Sequence, residues 1–362
     1  MSKYLEIEGT VLEGVDYSAK GSLSSVVIPN GITEIGHCAF DGCVNLSSVV
    51  IPNTVKKISN YAFDCCESLE TIIIPDSVKE LGDSVFHNCT SLLSVIIPDS
   101  VRKIGDSVFE GCVSLQEVRL PNGISKIGDF VFNECKNLRN IVIPSAVKSI
   151  GNYAFDECCS LERVSMPSSI SKLGHTSFHN CISLQRLEIP GSLLIIPSNA
   201  FEGCNNLKEV VICEGVETID GFAFNACTSL EKVSIPDTVA QINNYAFDEC
   251  FALKDVEVEE EAVVGDNSFP ENVMVKRRKG TEVFKQAKLQ KQKEAENRAK
   301  EAKQKRASKK IFATLFCVVV LSLGVCWYAF YVIDWAIILQ ILWFIFIAPF
   351  IISLSCIKFF LN

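Results

Sequence analysis

The sequence predicts an α/β solenoid. Short coils stack so that each gives one strand to a parallel β-sheet on the concave face and one short helix or 3₁₀ turn to the opposite side. Three observations predict it. A cysteine recurs at Cys43, Cys66, Cys89, Cys112, Cys135, Cys158, Cys181, Cys204, Cys227 and Cys250, every 23 residues with no insertion or deletion. A phenylalanine stands three residues before each, from Phe40 to Phe247, and a leucine three residues after, from Leu46 to Leu253. An apolar-proline pair recurs from Ile28-Pro29 to Ile235-Pro236 and lapses at Ile212-Cys213. A unit this short cannot bury its own apolar face, but stacked copies can.

The coils occupy residues 28–257 as ten repeats. In "LSSVVIP" (Leu46 to Pro52), Val49 and Ile51 are expected to point inward and Val50 outward, which is strand spacing. The proline lacks an N–H and should end the strand. In "GDSVFEGC" (Gly105 to Cys112), Val108, Phe109, Cys112 and then Leu115 lie at the spacing of one helical face, with Asp106 placed to cap its start. Gly36, Gly82, Gly105, Gly128, Gly151 and Gly174 form a turn column. Asp64, Asp156 and Asp248 follow the phenylalanine and read as solvated positions.

Seventeen cysteines in 362 residues raise the prospect of a disulfide scaffold. Neighbouring strands pair at about 4.7–4.9 Å, so distance alone leaves bridges open. The setting between Phe and Leu favours reduced thiols acting as small buried hydrophobes. A zinc site needs clustered ligands at short spacing. The adjacent pairs are Cys65-Cys66 and Cys158-Cys159, and none of His37, His87, His175 or His179 stands at ligand spacing from them. No metal and no cofactor is expected, and Cys65 and Cys159 are expected to be the more exposed thiols.

The spacing, with its I-P, A-F, C and L columns, resembles the leucine-rich repeat proteins of the BspA-like subclass, over about residues 5 to 275. The resemblance implies a curved solenoid without intrinsic catalysis that binds proteins or host surfaces. It makes residues 1–27 a degenerate first repeat acting as an N-terminal cap. Residues 258–280 become the C-terminal cap, with a closing strand and helix in "ENVMVKRRKGTEVFKQAK" (Glu271 to Lys288).

Beyond the cap, residues 281–310 read as a basic helical stalk. Lys276 to Lys310 carries 15 Lys and Arg against four acidic residues, a net +11, which leaves −20 on the residues before it. Lys, Gln, Ala and Glu favour helix, and no sustained apolar seam supports a coiled coil. Residues 311–333 and 336–357 are uncharged and long enough to cross a bilayer, for which about 20 apolar residues suffice. They predict a C-terminal transmembrane helical hairpin, or one span followed by a re-entrant or interfacial segment. Asp334 should sit at an interface, with Trp327, Tyr328, Tyr331 and Trp335 as its aromatic belt.

The basic run abutting the first span is expected on the cytosolic side and near anionic lipid headgroups. "MSKYLEIEGTVLEG" has no apolar stretch of the signal-peptide kind, and reduced thiols suit the same compartment. The expected localisation is therefore a membrane, with the solenoid in the cytosol.

No phosphate-binding loop, metalloprotease motif, nucleophile elbow or distinctive carboxylate pair suggests an enzyme. The acidic solenoid argues against nucleic acid. The outward strand column reads Val27, Val50, Ile73, Ile96, Arg119, Val142, Ser165, Glu188, Val211, Ser234. Its N-terminal half is apolar and flanked by Ser25, Ser48, Thr71 and Ser94; its C-terminal half is charged. Val27, Val50, Ile73, Ile96 and Arg119 are the candidate partner-binding residues, since a contiguous apolar patch can mark a protein site. Strand propensity alone also explains such residues. The expected function is a membrane-anchored scaffold that binds a protein partner. The alternatives are a surface antigen or adhesin with the solenoid outside the cell, and an accessory to a partner enzyme or transporter.

Overall fold

The computed structural model describes residues 4–280, 286, 289–290, 293–294, 296–309, 337 and 339–348. Residues 1–284 form one compact unit and residues 285–362 a second.

The first unit is a parallel β-solenoid. Each coil contributes a three- or four-residue strand ending at or before the apolar-proline pair, such as Ser48–Val50, Thr71–Ile73 and Ser94–Ile96. A two-residue strand follows after the turn, such as Lys57–Ile58 and Glu80–Leu81. Both columns pair in parallel at a register of 23, for instance Ile73 with Ile96 and Lys57 with Glu80. The proline's effect is visible where it is missing. At Cys213 the backbone N–H exists and donates to Ile189 O at 3.0 Å, and the strand there runs to four residues, Glu209–Ile212.

Of the short helices or 3₁₀ turns expected on the opposite side, the coils form turns and no helix: i→i+3 bonds close them, as Cys66 N to Phe63 O at 3.3 Å and Leu69 N to Cys66 O at 3.0 Å. Two columns of left-handed residues interrupt each coil, Tyr61 and Cys65 (φ 58° and 54°), then Ser84 and Asn88 (both 54°), and so onward. The left-handed conformation breaks helical continuation and turns alternate N–H groups toward the next coil. Tyr61, Phe63 and Cys65 donate to the carbonyls of Asp83, Val85 and His87, each at 2.9 Å. The turn side is thus a third inter-coil ladder. Asp106 caps no helix of its own; its Oδ1 accepts from the backbone N–H of Asp129 on the next coil at 3.1 Å. The same step links Asn60 to Asp83, Asp83 to Asp106 and Asp129 to Asn152. The glycine column serves close approach: a Cβ on Gly105 would collide with the backbone carbonyl of Gly82.

The core runs the length of the unit. The phenylalanine rings stack from Phe40 to Phe269, with neighbouring centroids 4.8 to 5.6 Å apart and planes within 17° of parallel. All ten ladder cysteines are fully buried and unbridged. From Cys66 onward each ladder thiol donates to a phenylalanine carbonyl on the preceding coil, as Cys66 Sγ to Phe40 O at 3.3 Å and Cys112 Sγ to Phe86 O at 3.0 Å. A cysteine is small enough for this wall and also satisfies a carbonyl there.

At the N-terminal end, an antiparallel hairpin, Leu5–Glu8 with Val11–Val15, joins the two-residue ladder at Glu34–Ile35. At the other end, Met274–Arg278 pairs in parallel with Asp255–Glu259. Arg278 reaches back to Asp237, Nε to Oδ1 at 2.7 Å.

In the second unit, the described residues between 286 and 309 are helical and exposed. The first predicted span, 311–333, lies outside the described residues. Of the second, 336–357, residues 337 and 339–348 are described and helical, with Trp343–Ile347 in a π-helical turn. No helix among the described residues is long and apolar enough to cross a membrane.

Candidate functional site

Two surfaces of the solenoid carry side chains that the core does not use. On the strand face, Val27, Val50, Ile73 and Ile96 point outward with exposures of 54, 54, 82 and 61%. Their neighbours Val26, Val49, Ile72 and Val95 are buried. Parallel register aligns Val27 with Val50, Ile73 with Ile96, and Ile96 with Arg119. The strand Thr71–Ile73 packs beside Ser48–Val50 without ladder bonds, so the apolar column has a seam between Val50 and Ile73. Thr71, Ile73, Ile96, Asp99 and Arg119 line a shallow groove of about 540 Å³. Arg119 closes one end of it and is held by Asp99 at 3.3 Å.

Farther along the same face the exposed side chains answer one another. Glu209 pairs with both Arg186 (3.2 Å) and Lys232 (3.4 Å). A second groove of about 570 Å³ is lined by Arg163, Ser165, Arg186 and Glu188.

The turn side holds a cluster that sequence spacing did not reveal. Asp64 is no solvated position: its Oδ1 lies 2.7 Å from His87 Nδ1 on the next coil, and Cys65 Sγ donates to the same oxygen at 3.3 Å. The three ligand atoms lie within 4.8 Å of one another. Burial, with the Asp64 carboxylate beside it, pushes the Cys65 thiol up to about 11. Asp156 likewise holds His179 at 2.7 Å, and this hydrogen bond, against desolvation, raises the His179 pKa.

These pairs belong to a larger period. The position after each core phenylalanine reads Asp64, His87, Glu110, Asn133, then Asp156, His179, Glu202, Asn225. Asn133 donates to Glu110 at 3.1 Å and Asn225 to Glu202 at 2.9 Å. Stacked aromatic pairs repeat at the same interval, Phe130–Tyr153 and Phe222–Tyr245. The solenoid therefore contains a four-coil block of 92 residues, repeated. "NYAFD" at 60–64, 152–156 and 244–248 was the available signal. Reading one coil at a time hid it.

Cys65 and Cys159 are partly exposed, as expected, and Cys38 and Cys213 join them. Burial drives the thiols of Cys89, Cys135 and Cys158 well above their ordinary range, so they are poor nucleophiles.

The profile of the BspA type leucine rich repeat region matches in six copies, over residues 16–139 and 125–254. A leucine-rich repeat protein from Bacteroides ovatus is similar in structure, at 25% identity and a TM-score of 0.58, over 74% of this chain and 78% of that one. A leucine rich cell surface protein from Faecalibacterium prausnitzii matches at 29% identity and a TM-score of 0.40, over 74% of this chain and 87% of that one. No curated protein sequence matches.

Proposed function

The chain belongs to the BspA-type leucine-rich repeat family, and from that premise we propose that it is a membrane-anchored scaffold whose strand face captures a protein partner. The observation that carries the reading is the exposed column Val27, Val50, Ile73 and Ile96. Strand propensity does not account for it. The same backbone position holds Arg119, Ser165, Glu188 and Ser234 in other coils with the strand intact. The fold does not require an apolar residue there, so its presence in four successive coils calls for another cause. An apolar strip flanked by small hydroxyl residues suits a partner's apolar side chains.

The anchor rests on the uncharged segments 311–333 and 336–357, and the cytosolic side on the basic run before them and on the unbridged thiols. The basic run 276–310 would be drawn to anionic headgroups, at about 1 kcal/mol per basic residue near the surface.

Two measurements on the full chain test this. Proteins that co-purify with the wild type should be lost from an Ile73→Asp/Ile96→Asp variant and kept by Glu188→Ala; equal recovery from all three rejects the strand face. Protease added to intact cells should leave the solenoid uncut. Digestion without permeabilisation would favour the extracellular adhesin instead.

A further inference from the structure

We propose that Asp64, Cys65 and His87 form a binding site for a divalent transition-metal cation of borderline softness, with zinc as the best fit. The three ligand types are a carboxylate, a thiol and an imidazole, and this mixture suits zinc better than magnesium or calcium, which prefer oxygen. All three side chains are partly exposed, so an ion has a path in.

The cluster is preorganised by the solenoid. Phe63 N donates to Val85 O and Cys65 N to His87 O, both at 2.9 Å, so the backbone on either side of Asp64 is tied to the backbone that carries His87. The left-handed conformation of Cys65 (φ 54°) sets its Cβ direction. Two of the three ligand-atom pairs already stand near the spacing an ion needs, and the third lies within 4.8 Å. Tetrahedral zinc with ligands at about 2.0–2.3 Å separates neighbouring ligand atoms by about 3.3–3.6 Å. Asp64 Oδ1 already stands 3.3 Å from Cys65 Sγ, and its 2.7 Å hydrogen bond to His87 Nδ1 would open by roughly half an ångström as the ion replaces the shared proton. Asp41 on the preceding coil adds negative charge at the same place. A fourth position remains for water.

The second block supplies an internal control. Asp156 and His179 repeat the pair at the same 2.7 Å, but Glu157 stands where Cys65 does and faces Lys136 at 3.5 Å. That arrangement lacks the soft ligand and has a cation already beside it.

The test is zinc titration of the purified full chain, in a non-chelating buffer with a phosphine reductant, against a chromophoric chelator. Cobalt(II) then reports sulfur coordination through its thiolate charge-transfer absorption. Cys65→Asn and His87→Asn are suitable variants, because Asn88 and Asn180 occupy the Cys65 column at φ 54°, and Asn133 and Asn225 the His87 column. The expected result is one site in the wild type, weakened at least about tenfold in either variant, with loss of the cobalt–thiolate band in Cys65→Asn. Glu157→Cys should add a second site. Absence of binding in the wild type, affinity unchanged from the wild type in the asparagine variants, or no added site in Glu157→Cys each overturns the assignment.

Discussion

Residues 60–151 and 152–243 are two copies of one four-coil block; they share the phenylalanine, cysteine and leucine columns, exchange other apolar core residues such as Val108 for Ala200, and change the chemistry of their outward faces. Inside, the phenylalanine stack, the cysteine wall and the leucine column pass from one to the other unchanged. The Asp–His and Glu–Asn pairs recur as well. On the strand face, however, Ile73, Ile96, Arg119 and Val142 become Ser165, Glu188, Val211 and Ser234, and on the turn side Cys65 becomes Glu157. Those three interior columns are held by close packing, where a change of one methylene is felt. The outward positions carry no such constraint. The difference between the copies is therefore where activity specific to this chain is to be sought: Ile73 and Ile96 of the apolar strip and the thiol cluster all belong to the first copy.

The comparison breaks most heavily in the core. Phe63→Ala and Phe155→Ala should each destabilise the solenoid by about 3–5 kcal/mol, and by similar amounts, as read from denaturant midpoints. A large disparity would mean that the copies do not share one continuous core. On the strand face the copies should separate: Ile73→Asp with Ile96→Asp should cost a bound partner about 2 kcal/mol or more, whereas Ser165→Asp with Glu188→Ala should cost almost nothing in the same affinity measurement.

A smaller effect lies at Ser177, which replaces its counterpart Val85. Its Oγ is buried with no hydrogen-bond partner, so Ser177→Ala should stabilise by about 1 kcal/mol, seen as a raised unfolding midpoint. The smallest effect concerns His179. Its folded pKa is raised by Asp156, so the protonated pair stabilises the fold fully below the unfolded value of about 6.5. That contribution fades as pH rises through the raised folded value. Asp156→Asn should lower the His179 titration midpoint in NMR, and the stability gap between wild type and variant should narrow as pH increases across that window. Native alkylation mapped by mass should meanwhile label Cys38, Cys65, Cys159 and Cys213 well before any ladder cysteine.

Much of the fold was legible. Val49 in and Val50 out, the stop before Pro52 and the burial of Cys43 through Cys250 follow from periodicity and residue chemistry. On the turn side the helical alternative failed for a definite reason, while the turn alternative held. Val108, Phe109, Cys112 and Leu115 have helical spacing, but Ser107 and Gly111 adopt left-handed backbones and the N–H groups there bond to the next coil. Apolar spacing reports which side chains are buried; it does not report where the amides go. The Asp64–His87 contact was out of reach of short motif spacing, because its partners are 23 residues apart and meet only when coils stack.

The sequence by itself determined the period, the buried columns and the uncharged C-terminal segments, because these depend on residue type and repeat length alone. Only the tertiary structure decided which backbone groups pair between coils, and which polar side chains on neighbouring coils come within bonding distance. Those outcomes depend on the lateral offset of one coil against the next, and that offset is set jointly by many residues packing at once.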